Sequence, residues 1–247
     1  MAKKRNQTDN MQEKRKNILN NDTSFVISEA YKTARTNLIF TLATNDKKIV
    51  IITSSNPGEG KSTSCVNLAI SLADMGASVL IIDADLRKPT VGKLLDIKSK
   101  NGLSNLLGGF CNLNETVNEN IRNNLDVIVS GPIPPNPAEL LASNVMVKLL
   151  SVLNEHYDYI LIDTPPINVV TDSQLMNAIV SGIMFVVNEG KTTHPDIAKS
   201  LRSIELAQGK VLGFLKVNCN VGARRKGYRS GYKYESYSYS YSESERE

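Results

Sequence analysis

The residues best suited to chemistry lie in segment 49–63, IVIITSSNPGEGKST. An apolar, β-branched run predicts a buried strand, a turn-rich segment follows, and Lys61 opens a predicted helix. This order of elements directs backbone N–H groups and a helix N-terminus at phosphate oxygens. We therefore expect Lys61 to reach the outer phosphates of a nucleotide and the Ser62 hydroxyl to bind Mg²⁺.

One position of this segment departs from the general phosphate-loop pattern G-x-x-x-x-G-K-S/T, because Ser55 stands where the first glycine is expected. The strand before the loop and the helix after it still favour a nucleotide site over a glycine-rich turn without a ligand. The predicted nucleotide-binding residues are Pro57, Gly58, Glu59, Gly60, Lys61, Ser62 and Thr63.

Aspartates stand at the ends of two further apolar runs. Asp83 and Asp85 follow the run SVLII, and Asp163 ends the run YDYILID. Ligands bind outside the carboxyl ends of the strands in parallel α/β sheets, so we expect these carboxylates to meet Lys61 at one edge. Nucleoside triphosphate chemistry needs a lysine, a metal and carboxylates, and a further carboxylate near an acceptor hydroxyl favours a kinase over a switch. A solvated turn at a strand end is the alternative for Asp83 and Asp85.

Composition narrows the class of protein. The 247 residues suffice for one globular domain with terminal extensions, and the net charge of +4 does not indicate nucleic-acid binding. Cys65, Cys111 and Cys219 fit neither a disulfide framework nor a metal spacing, which favours a reducing compartment. His156 and His194 lie near no motif. No apolar run reaches transmembrane length, and the basic N-terminus lacks the apolar region of a signal peptide.

The chain divides into three regions. Residues 1–24 are polar with basic runs and predict a disordered arm, whereas residues 25–221 alternate predicted strands and helices. Residues 222–247 are rich in tyrosine and serine and predict a disordered tail. The alternation favours a doubly wound, mostly parallel sheet with helices on both faces. The predicted strands are 49–52, 78–83, 125–129, 157–163, 182–187 and 210–217.

The predicted helices begin with one capped by Ser28, which carries Glu29, Lys32 and Arg35 on one side. By spacing alone, these three residues indicate a solvated, salt-bridged face. The other predicted helices and helix-like pieces are 61–76, 103–107, 114–117, 138–154 and 195–207.

Several motifs together resemble the bacterial tyrosine kinases (BY-kinases) of capsule and exopolysaccharide synthesis: PGEGKST, VLIIDADLRKP, YDYILIDTPP, SGPIPPNPAELL and a C-terminal tyrosine cluster. The resemblance implies a P-loop NTPase fold like that of the MinD and ParA proteins, and an ATP-dependent protein-tyrosine autokinase that uses Mg²⁺. In that family Asp83 would be the base for the tyrosine hydroxyl. Asp85 and Asp163 would serve Mg²⁺ beside Ser62, with Asp163 acting through water.

The same resemblance implies regulation and partners. The family's E-x-x-R-x-x-R oligomerisation helix matches Glu29, Lys32 and Arg35, which implies a homo-oligomeric ring, although Lys32 replaces an arginine fork. The chain resembles the separate cytoplasmic form, which a membrane-embedded activator of the polysaccharide co-polymerase (chain-length regulator) type recruits to the inner face of the membrane. The expected partners also include protein tyrosine substrates and a cognate phosphatase. Nucleic acid is not expected as a partner. The implied autophosphorylation sites are Tyr228, Tyr232, Tyr234, Tyr237, Tyr239 and Tyr241.

Two other classes of protein remain as alternatives. A MinD/ParA-like ATPase switch usually carries a lysine where Asn56 stands here, and the tyrosine cluster also disfavours it. An ATP-binding assembly adaptor without kinase activity would not need the full set of Lys61 and its three aspartates.

Overall fold

The strands of the protein form one seven-stranded sheet in a computed structural model, which describes residues 11–219. The strand order is β3-β4-β2-β5-β1-β6-β7, and every neighbouring pair is parallel except β3 and β4. The strands are β1 (Ile49–Ser54), β2 (Val79–Asp83), β3 (Val117–Arg122), β4 (Leu125–Ile128), β5 (Tyr159–Asp163), β6 (Gly182–Asn188) and β7 (Val211–Val217).

Helices connect these strands and cover both faces of the sheet, which confirms the predicted doubly wound architecture. They are α1 (residues 11–16), α2 (Phe25–Thr41), α3 (Lys61–Ala73), α4 (Val91–Leu94), α5 (Leu103–Leu107), α6 (Pro137–Leu141), α7 (Asn144–Leu153) and α8 (His194–Leu206), with a 3-10 helix at Gln174–Ile179.

The three central strands β1, β2 and β5 are buried along their whole length, which explains their continuous apolar runs. Successive side chains of a strand point to opposite faces. Val50 and Ile52 therefore pack in the layer that contains α2 and α3, whereas Ile49 and Ile51 pack in the layer that contains α7 and α8. The apolar cores on both faces hold the strand ends in fixed positions.

Two predicted local structures between residues 114 and 154 are wrong. Residues 114–116 form a turn and Val117 begins β3, whose mixed polar sequence carries no clear alternation. The predicted helix 138–154 is interrupted, because Ser143 caps a new helix there. Its hydroxyl accepts a hydrogen bond from the backbone N–H of Met146 at 3.3 Å, which is a favoured role for serine at a helix start.

The N-terminal boundaries also differ from the prediction. Helix α2 begins at Phe25 with Ser24 at its N-cap, so the prediction of Ser28 as the cap is wrong. Phe25, the first residue of the helix, is 76% exposed, so no buried apolar position marks the helix start.

The predicted disordered arm is wrong for residues 11–24, which pack against the domain; residues 1–10 lie outside the described part of the chain. Ile18 and Leu19 are buried in the layer of α3. The side chain of Asn67 in α3 donates to the carbonyl of Asn17 at 2.8 Å and accepts from the N–H of Leu19 at 2.9 Å. Two apolar residues and one buried asparagine thus anchor a segment whose average composition indicates disorder.

In the described range, no helix has both the length and the apolar character needed to cross a membrane. Cys65, Cys111 and Cys219 are free thiols in the structure.

Candidate nucleotide-binding and catalytic site

The loop after β1 is held in a sharply turned conformation. Gly58 and Gly60 have φ angles of +75° and +94°, which side chains other than glycine rarely allow. Gly60 is the N-cap of α3, so the loop leads directly into the helix N-terminus. The Nζ of Lys191 donates to the carbonyls of Pro57 at 3.0 Å and Gly58 at 2.9 Å. This loop carries the geometry of a phosphate cradle.

Glu59 fastens the same loop from within. Its side chain is fully buried; one carboxylate oxygen accepts from the N–H of Asn56 and the other from the hydroxyl of Thr192, each at 2.8 Å. Ser55 is also buried, and its hydroxyl lies 3.0 Å from that of Ser200 in α8. The residue that replaces the first glycine therefore serves the packing of the loop against α8.

Lys61 lies at the centre of the site, where the three predicted carboxylates come together. Its Nζ lies 3.0 Å from a carboxylate oxygen of Asp85 and 3.4 Å from both oxygens of Asp163. The Ser62 hydroxyl is 3.2 Å from the same nitrogen. Lys61, Asp85 and Asp163 are all buried. The sheet register explains the convergence, because Asp163 at the end of β5 pairs with Asp83 in β2 and with Ile52 in β1.

Asp83 is fully buried and has a fixed orientation. One oxygen accepts from the backbone N–H groups of Thr90 at 3.1 Å and Val91 at 3.0 Å, and the other from the N–H of Asp85 at 3.3 Å. Burial and the nearby charge of Asp163 raise the pKa of Asp83 to about 7. A carboxyl group with that pKa is suited to accept a proton near neutral pH.

The charges of the site are tightly coupled. Burial raises the pKa of Asp163, although the ammonium of Lys61 and a hydrogen bond from Ser62 oppose that change. Burial alone would lower the pKa of Lys61, but the carboxylates of Asp163 and Asp85 outweigh it, so the pKa of Lys61 is raised. One ammonium thus faces three carboxylates, and the site favours additional positive charge.

The donor set fits Mg²⁺. The carboxylates of Asp85 and Asp163 and the hydroxyl of Ser62 are hard oxygen donors, and all three lie within 3.4 Å of the Lys61 Nζ. Within residues 11–219 no group of three or more His, Cys, Asp or Glu residues forms a metal site of its own. Magnesium bound to nucleotides uses one or two protein carboxylates together with phosphate oxygens and water.

The predicted oligomer contact residues lie away from this site, on α2. The Nζ of Lys32 lies 2.7 Å from a carboxylate oxygen of Glu29, and both side chains are exposed. Arg35 instead donates to the backbone carbonyl of Ser71 in α3 at 2.7 Å. The six predicted autophosphorylation tyrosines lie outside the described residues.

Three contributors to the site were not singled out from the sequence. Lys191 and Thr192 contact the phosphate loop from the segment after β6, and nothing in the local sequence indicates that contact. Arg87 forms a two-point ion pair with the buried Asp172, at 2.9 and 3.1 Å, and so ties the segment after β2 to the segment before the 3-10 helix. The motif DLRKP could have indicated Arg87, whereas its partner is distant in sequence.

Comparison with known proteins gives consistent matches. A family model described as an AAA domain matches residues 47–206. Tyrosine-protein kinase YwqD of Bacillus subtilis is 40% identical over 213 residues, which cover 86% of this chain and 89% of that protein. The putative tyrosine-protein kinase CapB of Staphylococcus aureus is 40% identical over 187 residues, covering 76% of this chain and 82% of that protein.

Solved structures agree with these matches. The kinase domain of the Escherichia coli tyrosine kinase ETK superposes with a TM-score of 0.75 at 32% identity, covering 84% of this chain and 80% of that one. A chain of the MinC:MinD cell division protein complex of Aquifex aeolicus superposes with a TM-score of 0.56 at 22% identity, which is a likeness of fold alone.

Proposed function

The chain belongs to the bacterial tyrosine kinases, and on this basis we propose that it transfers the γ-phosphoryl group of ATP to tyrosines of its own C-terminal segment, residues 222–247. The observation that carries the proposal is the convergence of Lys61 with the buried carboxylates of Asp83, Asp85 and Asp163 beside the phosphate loop. A nucleotide switch requires the loop and one carboxylate, whereas transfer to a hydroxyl also requires a base.

Each residue has a distinct role in this proposal. The ammonium of Lys61 stabilises negative charge that develops on the transferring phosphoryl group. Asp83 takes the proton of the tyrosine hydroxyl while the tyrosine oxygen bonds to phosphorus and the bond to the leaving ADP oxygen breaks. Ser62, Asp85 and Asp163 would hold Mg²⁺. When bound, the metal ion neutralises phosphate charge and aligns the phosphate oxygens.

The test of the kinase proposal is incubation of the full chain with ATP and Mg²⁺, followed by mass spectrometry of the C-terminal segment. We expect phosphate on several of the six tyrosines, with a larger yield when the cytoplasmic part of the membrane activator is added. ATP hydrolysis without phosphotyrosine, even with the activator, would instead favour the MinD/ParA-like switch. Nucleotide binding without hydrolysis or phosphotyrosine would favour the assembly adaptor.

Assembly is the second part of the proposal: copies of the chain form a ring on a membrane-embedded activator, and α2 contributes the contact. Support comes from the exposed pair of Glu29 and Lys32 and from the match to the family's oligomerisation motif. A head-to-tail contact can close into a ring. Because Arg35 also bonds within the subunit, Lys32→Glu is the cleaner variant. It should yield monomers in light scattering, whereas an unchanged oligomer would contradict the contact.

Transfer between subunits is the third part. A segment that begins after Cys219 can present its tyrosines to a neighbouring site as well as to its own, depending on the geometry of the tether. Each phosphate adds about −1.5 to −2 charges, which would separate the subunits, and a cognate phosphatase would reverse the change. A Lys61→Met chain mixed with an active chain lacking its tail should acquire phosphotyrosine. An inactive chain that stays unmodified would contradict transfer between subunits.

A further inference from the structure

A second concave surface lies beside Asp83, on the side away from the phosphate loop. In the sheet, β4 flanks β2 on one side, and β5 and β1 lie on the other. The carboxyl end of β4, helix α4 and the segment after it enclose a cavity of about 330 Å³. Its lining includes Asp83, Lys93, Ile97, Lys100 and Pro132. Because the acceptor and leaving oxygens stand roughly in line, an acceptor must approach the phosphoryl group from the side opposite to ADP.

The rim of this cavity is cationic. Lys93 and Lys100 are exposed and line it, and neither forms an ion pair with any residue in the range 11–219. Asp96, on the same segment, is already paired with Arg15 at 2.8 Å and so does not neutralise them. Residues 87–100 carry five basic side chains against this one acidic side chain. Such a surface favours an anionic partner.

The chain itself contains a matching anionic segment. Residues 235–247 hold four glutamates and one arginine around Tyr237, Tyr239 and Tyr241. Residues 224–233 hold five basic side chains and no acidic one around Tyr228 and Tyr232. An extended chain spans up to about 3.3–3.6 Å per residue, so the 28 residues after Cys219 are long enough to reach the cavity of the same or a neighbouring copy.

We propose that Lys93 and Lys100 bind glutamates of the segment 235–247, and that the kinase thereby selects tyrosines flanked by acidic residues. The selectivity rests on the proposed kinase function. The tyrosines of the acidic part are then modified before Tyr228 and Tyr232, whose basic neighbours are repelled by the same two lysines. An acidic peptide is therefore the substrate class of this site.

The first experiment measures binding without phosphotransfer. A fluorescein-labelled peptide of residues 234–247 is titrated with the full chain, in which Glu235, Glu243, Glu245 and Glu247 are changed to glutamine to prevent competition. We expect this acidic peptide to bind the chain roughly fivefold more tightly than a control peptide in which every glutamate is replaced by glutamine. The reason is that each partly exposed ion pair adds a modest amount of binding free energy. The double variant Lys93→Ala/Lys100→Ala should lose that difference.

A matched control separates a specific site from general attraction. Lys98 lies between the two lysines in sequence but does not line the cavity. Lys98→Ala should bind the acidic peptide within about twofold of the parent chain. The charge-reversed variant Lys93→Glu/Lys100→Glu should instead bind a peptide in which each glutamate is replaced by lysine. Equal binding of the acidic and glutamine peptides, or an equal loss in Lys98→Ala, would overturn the proposal.

A second experiment follows modification over time. In the wild-type chain, phosphate should enter Tyr237, Tyr239 and Tyr241 before Tyr228 and Tyr232, and Lys93→Ala/Lys100→Ala should lose this order. For the acidic peptide as acceptor, the double variant should raise KM about fivefold and leave kcat within twofold. Absence of phosphotyrosine in every sample would refute the proposed function, whereas equal affinities for the two peptides would refute the acidic selectivity.

Discussion

The two sides of Asp83 differ in how far their charged side chains are buried and in whether those charges are paired. On the nucleotide side, Lys61, Asp85 and Asp163 are buried, and the Lys61 ammonium lies within 3.4 Å of both carboxylates, so every charge depends on its neighbours. On the cavity side, Lys93 and Lys100 are exposed and have no ionic partner among the described residues. A change of a buried charge on the first side should therefore alter both chemistry and stability, and a change on the second side should alter binding alone.

Asp83 joins the two sides, and its replacement should have the largest effect on activity. Asp83→Asn keeps the shape and an oxygen acceptor for Thr90 and Val91 but cannot take a proton. We expect phosphotransfer to fall about 10²–10⁴-fold, as for the loss of a general base. In the wild-type chain, the rate should rise with pH up to about 7, because the base must be ionised. A variant with an unchanged rate would contradict the role of Asp83.

The same variant tests how much the buried Asp83 carboxylate lowers the free energy of unfolding. Because the pKa of Asp83 is about 7 in the folded chain, against an ordinary value of 3.8, the folded state binds more protons than the unfolded state between these pH values. The free energy of unfolding of the wild type should therefore fall as pH rises through that window. Asp83→Asn should gain stability relative to wild type from pH 5 to pH 8 in thermal unfolding, whereas the exposed control Asp46→Asn should show no such trend.

Lys61 should give the next largest effect. Lys61→Met removes the ammonium from the transition state, and we expect a loss of about 10²–10³-fold in phosphotransfer. It also leaves Asp85 and Asp163 without their cation, so near-ultraviolet circular dichroism must confirm that the variant is folded. Lys61→Arg retains the charge but not the compact ammonium, and it should be folded and still impaired. Wild-type phosphotyrosine in both variants would show that Lys61 is not required.

A substitution at Asn67 tests how the N-terminal segment contributes to the stability of the fold, apart from catalysis. Asn67→Ala removes both hydrogen bonds that hold Asn17 and Leu19 on α3. Because the two backbone groups lose their buried partner, we expect the free energy of unfolding to fall by about 1–3 kcal/mol in urea denaturation. Asn37→Ala, on the exposed side of α2, should change it by less than about 0.5 kcal/mol. Equal values for the two variants would show that residues 17–19 are not anchored by Asn67.

Lys191 should give the smallest effect, although it lies on the nucleotide side. It is exposed, and its two bonds are to the carbonyls of Pro57 and Gly58. Lys191→Met should loosen the loop and raise KM for ATP roughly two- to fivefold while kcat stays within twofold. Lys210→Met, an exposed lysine outside the loop, is the control. A large fall in kcat would show that Lys191 acts on the reacting groups. Exposed as well as buried residues on the nucleotide side would then affect the chemistry.

The sequence by itself predicted six of the seven strands and most of the candidate nucleotide site. Continuous apolar runs such as 49–52 identify strands buried on both faces, and turn residues before Lys61 identify the phosphate loop. The convergence of Asp83 and Asp163 was predictable because a parallel sheet brings the carboxyl ends of its strands to one edge. These features depend on local pattern and on a general rule of topology.

Only the tertiary structure decided which distant residues complete the site. Lys191 and Thr192 reach the phosphate loop because β6 lies beside β1, and Asp172 meets Arg87 across 85 residues of sequence. The segment 17–19 is held by the buried side chains of Ile18 and Leu19 and by the two hydrogen bonds of Asn67, which average composition cannot reveal. Side-chain contacts between separate elements depend on packing, and periodicity within one element carries no information about them.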